Sequence, residues 1–167
     1  LRGDAVKSET YFKPENDGHH FASELTSQIQ DLNNGIYLDE ELQNSSKTDF
    51  CIGVAGYAEK HMEAPSIDSD IHFLKKKIKN GATYIVTQMF FDNQKYFEFL
   101  DKCRLEGITV PIIPGLKPIA TKKQLNLLPH RFKVDLPDEL IMSIVKCKDN
   151  AAVRNVGVEW CVNQSKE

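Results

Sequence analysis

With 167 residues, 41% hydrophobic and 27% charged, the chain can bury one sizeable core and is too short for two comfortable domains. Its formal net charge of −3, with acids and bases interspersed, offers no basic surface for nucleic acid, and no apolar run approaches the roughly 20 residues of a membrane span. No signal-peptide pattern is visible, and four scattered cysteines (Cys51, Cys103, Cys147, Cys161) without a C-x-x-C predict reduced thiols in a cytoplasm, not a disulfide framework or a metal site.

In chain order, residues 1–4 ("LRGD") read as the end of an element, and 5–18 as a polar loop. From His20 the apolar positions Phe21, Leu25, Ile29 and Leu32 recur at helical spacing, and Gly35 stops that helix. "FCIGVAGY" (50–57) predicts a buried strand in which Gly53 and Gly56 permit close backbone approach. A loop then leads into a helix with Ile67, Ile71, Leu74 and Ile78 on one face, closed by Asn80-Gly81. The next strand is 84–88, and Asp92 caps a helix that buries Tyr96, Leu100 and Cys103 and ends at Gly107. "ITVPIIPG" (108–115) reads as a third strand, Thr121 opens a short helix, Pro137 another running to about Cys147, and Asp149 a last one through Val153, Val156 and Trp160.

Strands and helices alternate three times, which is the pattern of an α/β fold with a parallel sheet. A complete (β/α)8 barrel needs about 250 residues, so the expectation is a partial TIM barrel, its C-terminal portion, forming a single incomplete domain over residues 1–167. Active sites of such barrels lie at the C-terminal ends of the strands. Here those positions hold Asp4, Tyr57, Gln88 and the stretch "PGLKP" from Pro114 to Pro118. Gln88 raises a question by itself: an amide at the end of an apolar strand must be hydrogen-bonded, to protein or to ligand, because a buried unpaired one costs about 1–3 kcal/mol.

Taken together, "LRGD", "GYAEKHMEAPSIDSDIHFLKKKIKNGA", "TQMFFD", "CRLEGITVPIIPGLKPI" and "VGVEWCVNQSKE" resemble methylenetetrahydrofolate reductase, in family order from Leu1 to Glu167. "TQ-x-FFD" and "PIIPGLKPI" are specific when they occur jointly, whereas "LRGD" alone would be weak. The resemblance implies a βα barrel that carries FAD at its strand ends. The implied reaction reduces 5,10-methylenetetrahydrofolate to 5-methyltetrahydrofolate with NADH or NADPH, in one-carbon metabolism and methionine synthesis. It further implies the C-terminal two-thirds of a bacterial-type catalytic barrel. The family's first-strand glutamate and last strand would then be missing, so these residues alone are expected to be inactive.

Position by position, the resemblance gives Arg2, Gly3 and Asp4 to the flavin, with Asp4 also near the folate and acting in catalysis by tuning the flavin electrostatically. Ala22, Tyr57, His61, Ala64, Asp70, Lys76 and Lys77 match cofactor contacts, Asp70 at the ribityl hydroxyls and Lys77 at the diphosphate. Asp70 and Lys77, seven apart on one helix, would stand about 10 Å apart on one face. Gln88 and Gln124 match substrate contacts. Family members usually have proline where this chain has Ala58; the expected consequence is weaker FAD retention.

Competing readings exist for several of these residues. Thr121-x-x-Gln124 is also a capping box, in which the amide serves the helix's own backbone. Lys75-Lys76-Lys77 would by default be a solvated helix face, and Tyr57 a core residue. "RGD" as an integrin motif lacks a secretory context, and His61-x-Glu63 lacks the P-C-x-x-C that a zinc deaminase requires. At the level of the whole chain, the alternatives are a non-catalytic flavin- or folate-binding module and a pterin-binding methyltransferase barrel. Oligomeric state stays open, a homo-oligomer being one outcome.

Overall fold

The computed structural model describes residues 12–16 and 18–167. Within them lie α1 (Ala22–Asn33), β1 (Gly53–Gly56), α2 (Ile67–Lys79), β2 (Tyr84–Thr87), α3 (Asn93–Leu105), β3 (Ile112–Ile113), α4 (Gln124–Phe132), α5 (Asp138–Val145) and α6 (Asn150–Gln164). The strands form one parallel sheet in the order β1-β2-β3. Gly53 pairs with Tyr84, Gly56 with Thr87, and Ile85 with Ile112. This is the α/β pattern that the alternation predicts. The described sheet is open, with three strands, and does not by itself make a barrel.

Helix boundaries follow local chemistry. Ser66, Asp92 and Asp149 each accept a backbone N–H from the first turn of α2, α3 and α6, which satisfies donors the helix cannot pair internally. Gly81 (φ 107°) and Gly107 (φ 80°) then carry the chain out of α2 and α3 in a conformation that strains any other residue.

Two of the predicted strands are shorter than the apolar runs, because side chains take over the backbone pairing. Asn33 accepts the Phe50 N–H at 2.8 Å and donates to its carbonyl at 2.9 Å, so Phe50 is paired outside the ladder. Arg104 likewise donates to the carbonyls of Ile108 and Val110, and pairing with β2 begins only at the Pro111 carbonyl, which accepts the Ile85 N–H. α4 starts at Gln124, not Thr121, residues 121–123 forming a turn.

One sheet face is packed. Val54, Ile85 and Ile112 meet Ile71 and Leu74 of α2 and Phe99 and Cys103 of α3. Burial pushes the Cys103 thiol up to about 11, so it behaves as a core residue. The opposite face carries Gly53, Ala55, Tyr84, Val86 and Ile113, with Val86 40% and Ile113 46% exposed. A second core, built on Met89, Phe91, Ile119, Leu128, Leu140, Ile144 and Val153, joins α4, α5 and α6 to the chain leaving β2. Phe90 points the other way, into the first core.

α6 touches this second core through its backbone. A Cβ placed on buried Gly157 would lie 2.0 Å from the Ile119 carbonyl oxygen and 2.7 Å from its nitrogen. Alanine is the better helix former by about 1 kcal/mol, but overpacking against backbone costs about 1–3 kcal/mol, and steric contact wins. Gly157→Ala is expected to destabilise the protein by up to about 2 kcal/mol, read as a lower urea midpoint at unchanged slope. An unchanged or higher midpoint would mean that α6 can stand off from residue 119.

Candidate functional site at the strand ends

The C-terminal ends of β2 and β3 are drawn together by one side chain and one missing one. Thr87, 5% exposed, accepts the Gly115 N–H on Oγ1 at 2.9 Å. A Cβ on Gly115 would sit 2.1 Å from the Thr87 carbonyl oxygen, so only glycine permits this approach. Above the junction opens a cavity of about 420 Å³, lined by Gln88, Met89, Gly115, Leu116, Lys117 and Phe132. Gln88 is half-buried. Its N–H bonds the Gly56 carbonyl at 2.8 Å, and its side-chain oxygen accepts the Met89 N–H at 3.1 Å. Its oxygen therefore serves the backbone, while the residue as a whole faces a cavity.

Beside Gln88, past the end of β1, the rings of Tyr57 and His61 meet edge to face at 4.7 Å. The His61 N–H donates to Asp70 Oδ2 at 2.5 Å, and Nδ1 of its ring accepts the Glu63 N–H at 3.2 Å, which leaves Nε2 as the ring's second polar atom. Between the two rings Lys60 holds φ 136°, while its amine spans the His61 and Ala64 carbonyls at 3.2 and 2.6 Å. Ala64 closes this turn with its own N–H on the His61 carbonyl. Asp70 thus anchors the loop from α2.

Lys77 lies at the other end of α2. Its amine donates to the Ala55 carbonyl at 3.0 Å and meets no carboxylate at ion-pair distance among the described residues. Burial holds its pKa below the ordinary lysine value, with Asp70 pulling it partly back. Lys76 is exposed beside it. Asn80 donates to the Ser23 carbonyl at 3.0 Å, which docks the start of α1, and with it half-buried Ala22, at the Lys77 end of α2 and not at the Tyr57–His61 end. Arg2, Gly3 and Asp4 lie outside the described residues.

Gln124 accepts the N–H groups of Ala120 and Thr121, at 2.6 and 3.0 Å, so its oxygen fixes the exit of the "PGLKPI" stretch. This is the backbone half of the capping arrangement that the spacing allowed. Two neighbours escaped the sequence reading. Phe132, at the end of α4, lines the cavity beside Gln88, where in sequence it reads as one more apolar position. Glu59, between Tyr57 and His61, carries a carboxyl that burial pushes up to about 7. An acid in a polar loop gives no signal of that in sequence.

The comparisons with known proteins bear on this site. A family model described as methylenetetrahydrofolate reductase matches residues 1–167. Methylenetetrahydrofolate reductase 1 of Schizosaccharomyces pombe is 36% identical over 168 residues, covering 100% of this chain and 26% of its own length. A probable methylenetetrahydrofolate reductase (NADPH) of Caenorhabditis elegans is 33% identical, covering 86% and 21%. Methylenetetrahydrofolate reductase (NADH) 1 of Arabidopsis thaliana is 36% identical, covering 71% and 22%. The chain therefore spans about a quarter of the length of these curated relatives. Among solved structures, an uncharacterized protein from Clostridium thermocellum that binds two copies of 5-methyl-5,6,7,8-tetrahydrofolic acid shares the fold at TM-score 0.52 and 18% identity, over 97% of this chain and 56% of that one. A family match over every residue, with relatives above 30% identity over 71–100% of its length, places this chain in the methylenetetrahydrofolate reductase family.

Proposed function

We propose that this chain is part of an FAD-dependent reductase of 5,10-methylenetetrahydrofolate that draws on NADH or NADPH. In this reading its sheet contributes three strands of a (β/α)8 barrel, with the exposed Val86–Ile113 face turned to the barrel interior. The observation that carries the proposal is the placement of Gln88. It stands at a strand end and lines an open cavity, with its own N–H on the Gly56 carbonyl, one residue before Tyr57 of the Tyr57–His61 pair. With its oxygen already accepting the Met89 N–H, the half-buried amide has its NH2 donors, and the oxygen's second lone pair, for the edge of a pterin in the 420 Å³ cavity.

The residues present suit a flavin dinucleotide. Lys77 is a partly desolvated cation that donates to a carbonyl and makes no ion pair among the described residues, and a diphosphate would supply a direct counter-charge. Asp70 spends Oδ2 on His61 and has Oδ1 for sugar hydroxyls. Bound FAD would supply hydride transfer between nicotinamide and folate. The chain's own part is to bind, orient and exclude water: Tyr57 and His61 wall the strand end, Ala22, Ala64 and Lys76 border the cofactor track, and Arg2, Gly3 and Asp4 complete it at the flavin ring. Gln124 acts on the substrate side through the 115–120 segment it holds.

Two substitutions in the full-length protein test this reading. Gln88→Ala is expected to impair folate turnover while leaving flavin reduction by the nicotinamide nearly unchanged; equal loss in both half-reactions, followed by stopped flow, would contradict it. Lys77→Ala removes a charge-assisted contact worth roughly 1.5–3 kcal/mol, so FAD affinity should fall about ten- to a hundredfold. Titration at wild-type affinity would instead leave Lys77 as a sheet-edge donor to Ala55.

A further inference from the structure

Glu59 sits between the two ring residues of the β1 loop, and its two oxygens differ. Oε2 accepts the Asp135 N–H at 2.9 Å. Oε1 is buried without a hydrogen-bond partner among the described residues. As a residue, Glu59 lines a cavity of about 240 Å³ on the helix side of the sheet. The charged groups facing it there are Lys95, Glu98 and Lys102 from α3, and Lys133 and Asp135 from the turn after α4; α2 adds only apolar Ile67. Lys60, on its own loop, is committed to the His61 and Ala64 carbonyls.

An ionised carboxylate with one oxygen enclosed and unpaired is costly. Among the described residues no lysine pairs with it directly: Lys95, 3.9 Å from the Asp135 carboxylate, lowers its cost only from a distance and less than burial raises it. A proton on Oε1 removes the buried charge and sets an O–H beside Asp135. The next residue stores strain. Lys60 at φ 136° costs about 1–3 kcal/mol and persists only where its surroundings hold it. Here two carboxyl groups hold it, Glu59 on the Asp135 N–H and Asp70 on the His61 N–H.

We infer that Glu59 is a positioning residue working as a proton-operated latch: its neutral carboxyl can stay enclosed and tie the Tyr57–His61 loop to the Lys133–Leu136 segment, whereas ionisation strengthens the single Asp135 N–H bond but charges the enclosed, unpaired Oε1, which is relieved only by opening to water. The latch concerns the loop and stands apart from which ligand the loop serves. Its direction with pH is fixed. Burial pushes Glu59 up to about 7 from 4.5, the Asp135 N–H opposing and the Asp135 charge adding to the rise. Between those values the folded chain holds a proton that the unfolded chain has lost. The stability contributed by the neutral group is full below 4.5 and is lost as pH rises through 7.

The test compares full-length wild type, Glu59→Gln and Asp135→Asn. Thermal melting from pH 5 to 8 should show the wild type falling by about 5 °C more than Glu59→Gln, whose amide imitates the neutral acid. Trypsin nicking after Lys60, normalised to a peptide substrate, should rise with pH in wild type and stay flat in Glu59→Gln. Asp135→Asn should move both changes to lower pH, and it decides the matter if Glu59→Gln does not fold. Identical pH profiles in wild type and Glu59→Gln, or a melting difference without a nicking difference, would overturn the latch. FAD affinity over the same range separates this from the flavin reading. No FAD binding by any of the three proteins would sink that reading and leave the latch to be judged by melting and nicking.

Discussion

The chain that leaves β2 sets the terms for everything around it. Residues 88–91 are no longer in the sheet, yet Met89, Phe90 and Phe91 are buried, and buried backbone groups must be paired. The Gln88 N–H finds Gly56, and the Met89 N–H finds the Gln88 side chain. The Phe90 carbonyl accepts Gln164 Nε2 and the Phe91 carbonyl accepts Trp160 Nε1, each at 3.0 Å. Those bonds bring α6 against the sheet's exit, and the bare backbone at Gly157 lets it come close enough. The alternation of Met89 and Phe91 against Phe90 then divides one short run between two cores.

That junction explains why the candidate site is built where it is. Thr87 is committed to Gly115, so the cavity floor is fixed before any ligand arrives. Fixed floors favour binding, since little ordering remains to be done. The β1 side is different in kind. Its loop is held by carboxyl groups, one from α2 and one of its own, around a strained lysine. One wall of the site is thus steric and insensitive to pH, and the other is electrostatic.

Much of this was legible in the sequence where the information is local. Ser66, Asp92 and Asp149 announce helix starts because a cap needs only its own next turn. Gly81 and Gly107 announce ends for a similar reason. Gln88 stood out because an amide at the end of an apolar strand demands a partner. What the sequence hides is pairing over distance. Asn33 acting as a substitute strand for Phe50, and Arg104 for Ile108 and Val110, shorten β1 and β3 without changing any local pattern. Glu59 is hidden in the same way, its character set by an enclosure that α3 and the turn after α4 build around it. Ala58 shows the mixed case: its departure from the family's proline is visible in sequence, while its burial beside that enclosure is not.

The bonds from α6 also impose an order in time. The indole and amide that satisfy Phe91 and Phe90 lie 69 and 74 residues further along the chain. At ordinary rates of synthesis, a ribosome takes roughly 3 to 15 s to cover that distance. Throughout that interval the Phe90 and Phe91 carbonyls have left the ribosome without the helix that pairs them. The nascent chain therefore passes through a window in which Met89 and Phe91 lack the second core that later covers them, while Phe90 can already pack into the first, and a chaperone able to shield short hydrophobic stretches would find them there.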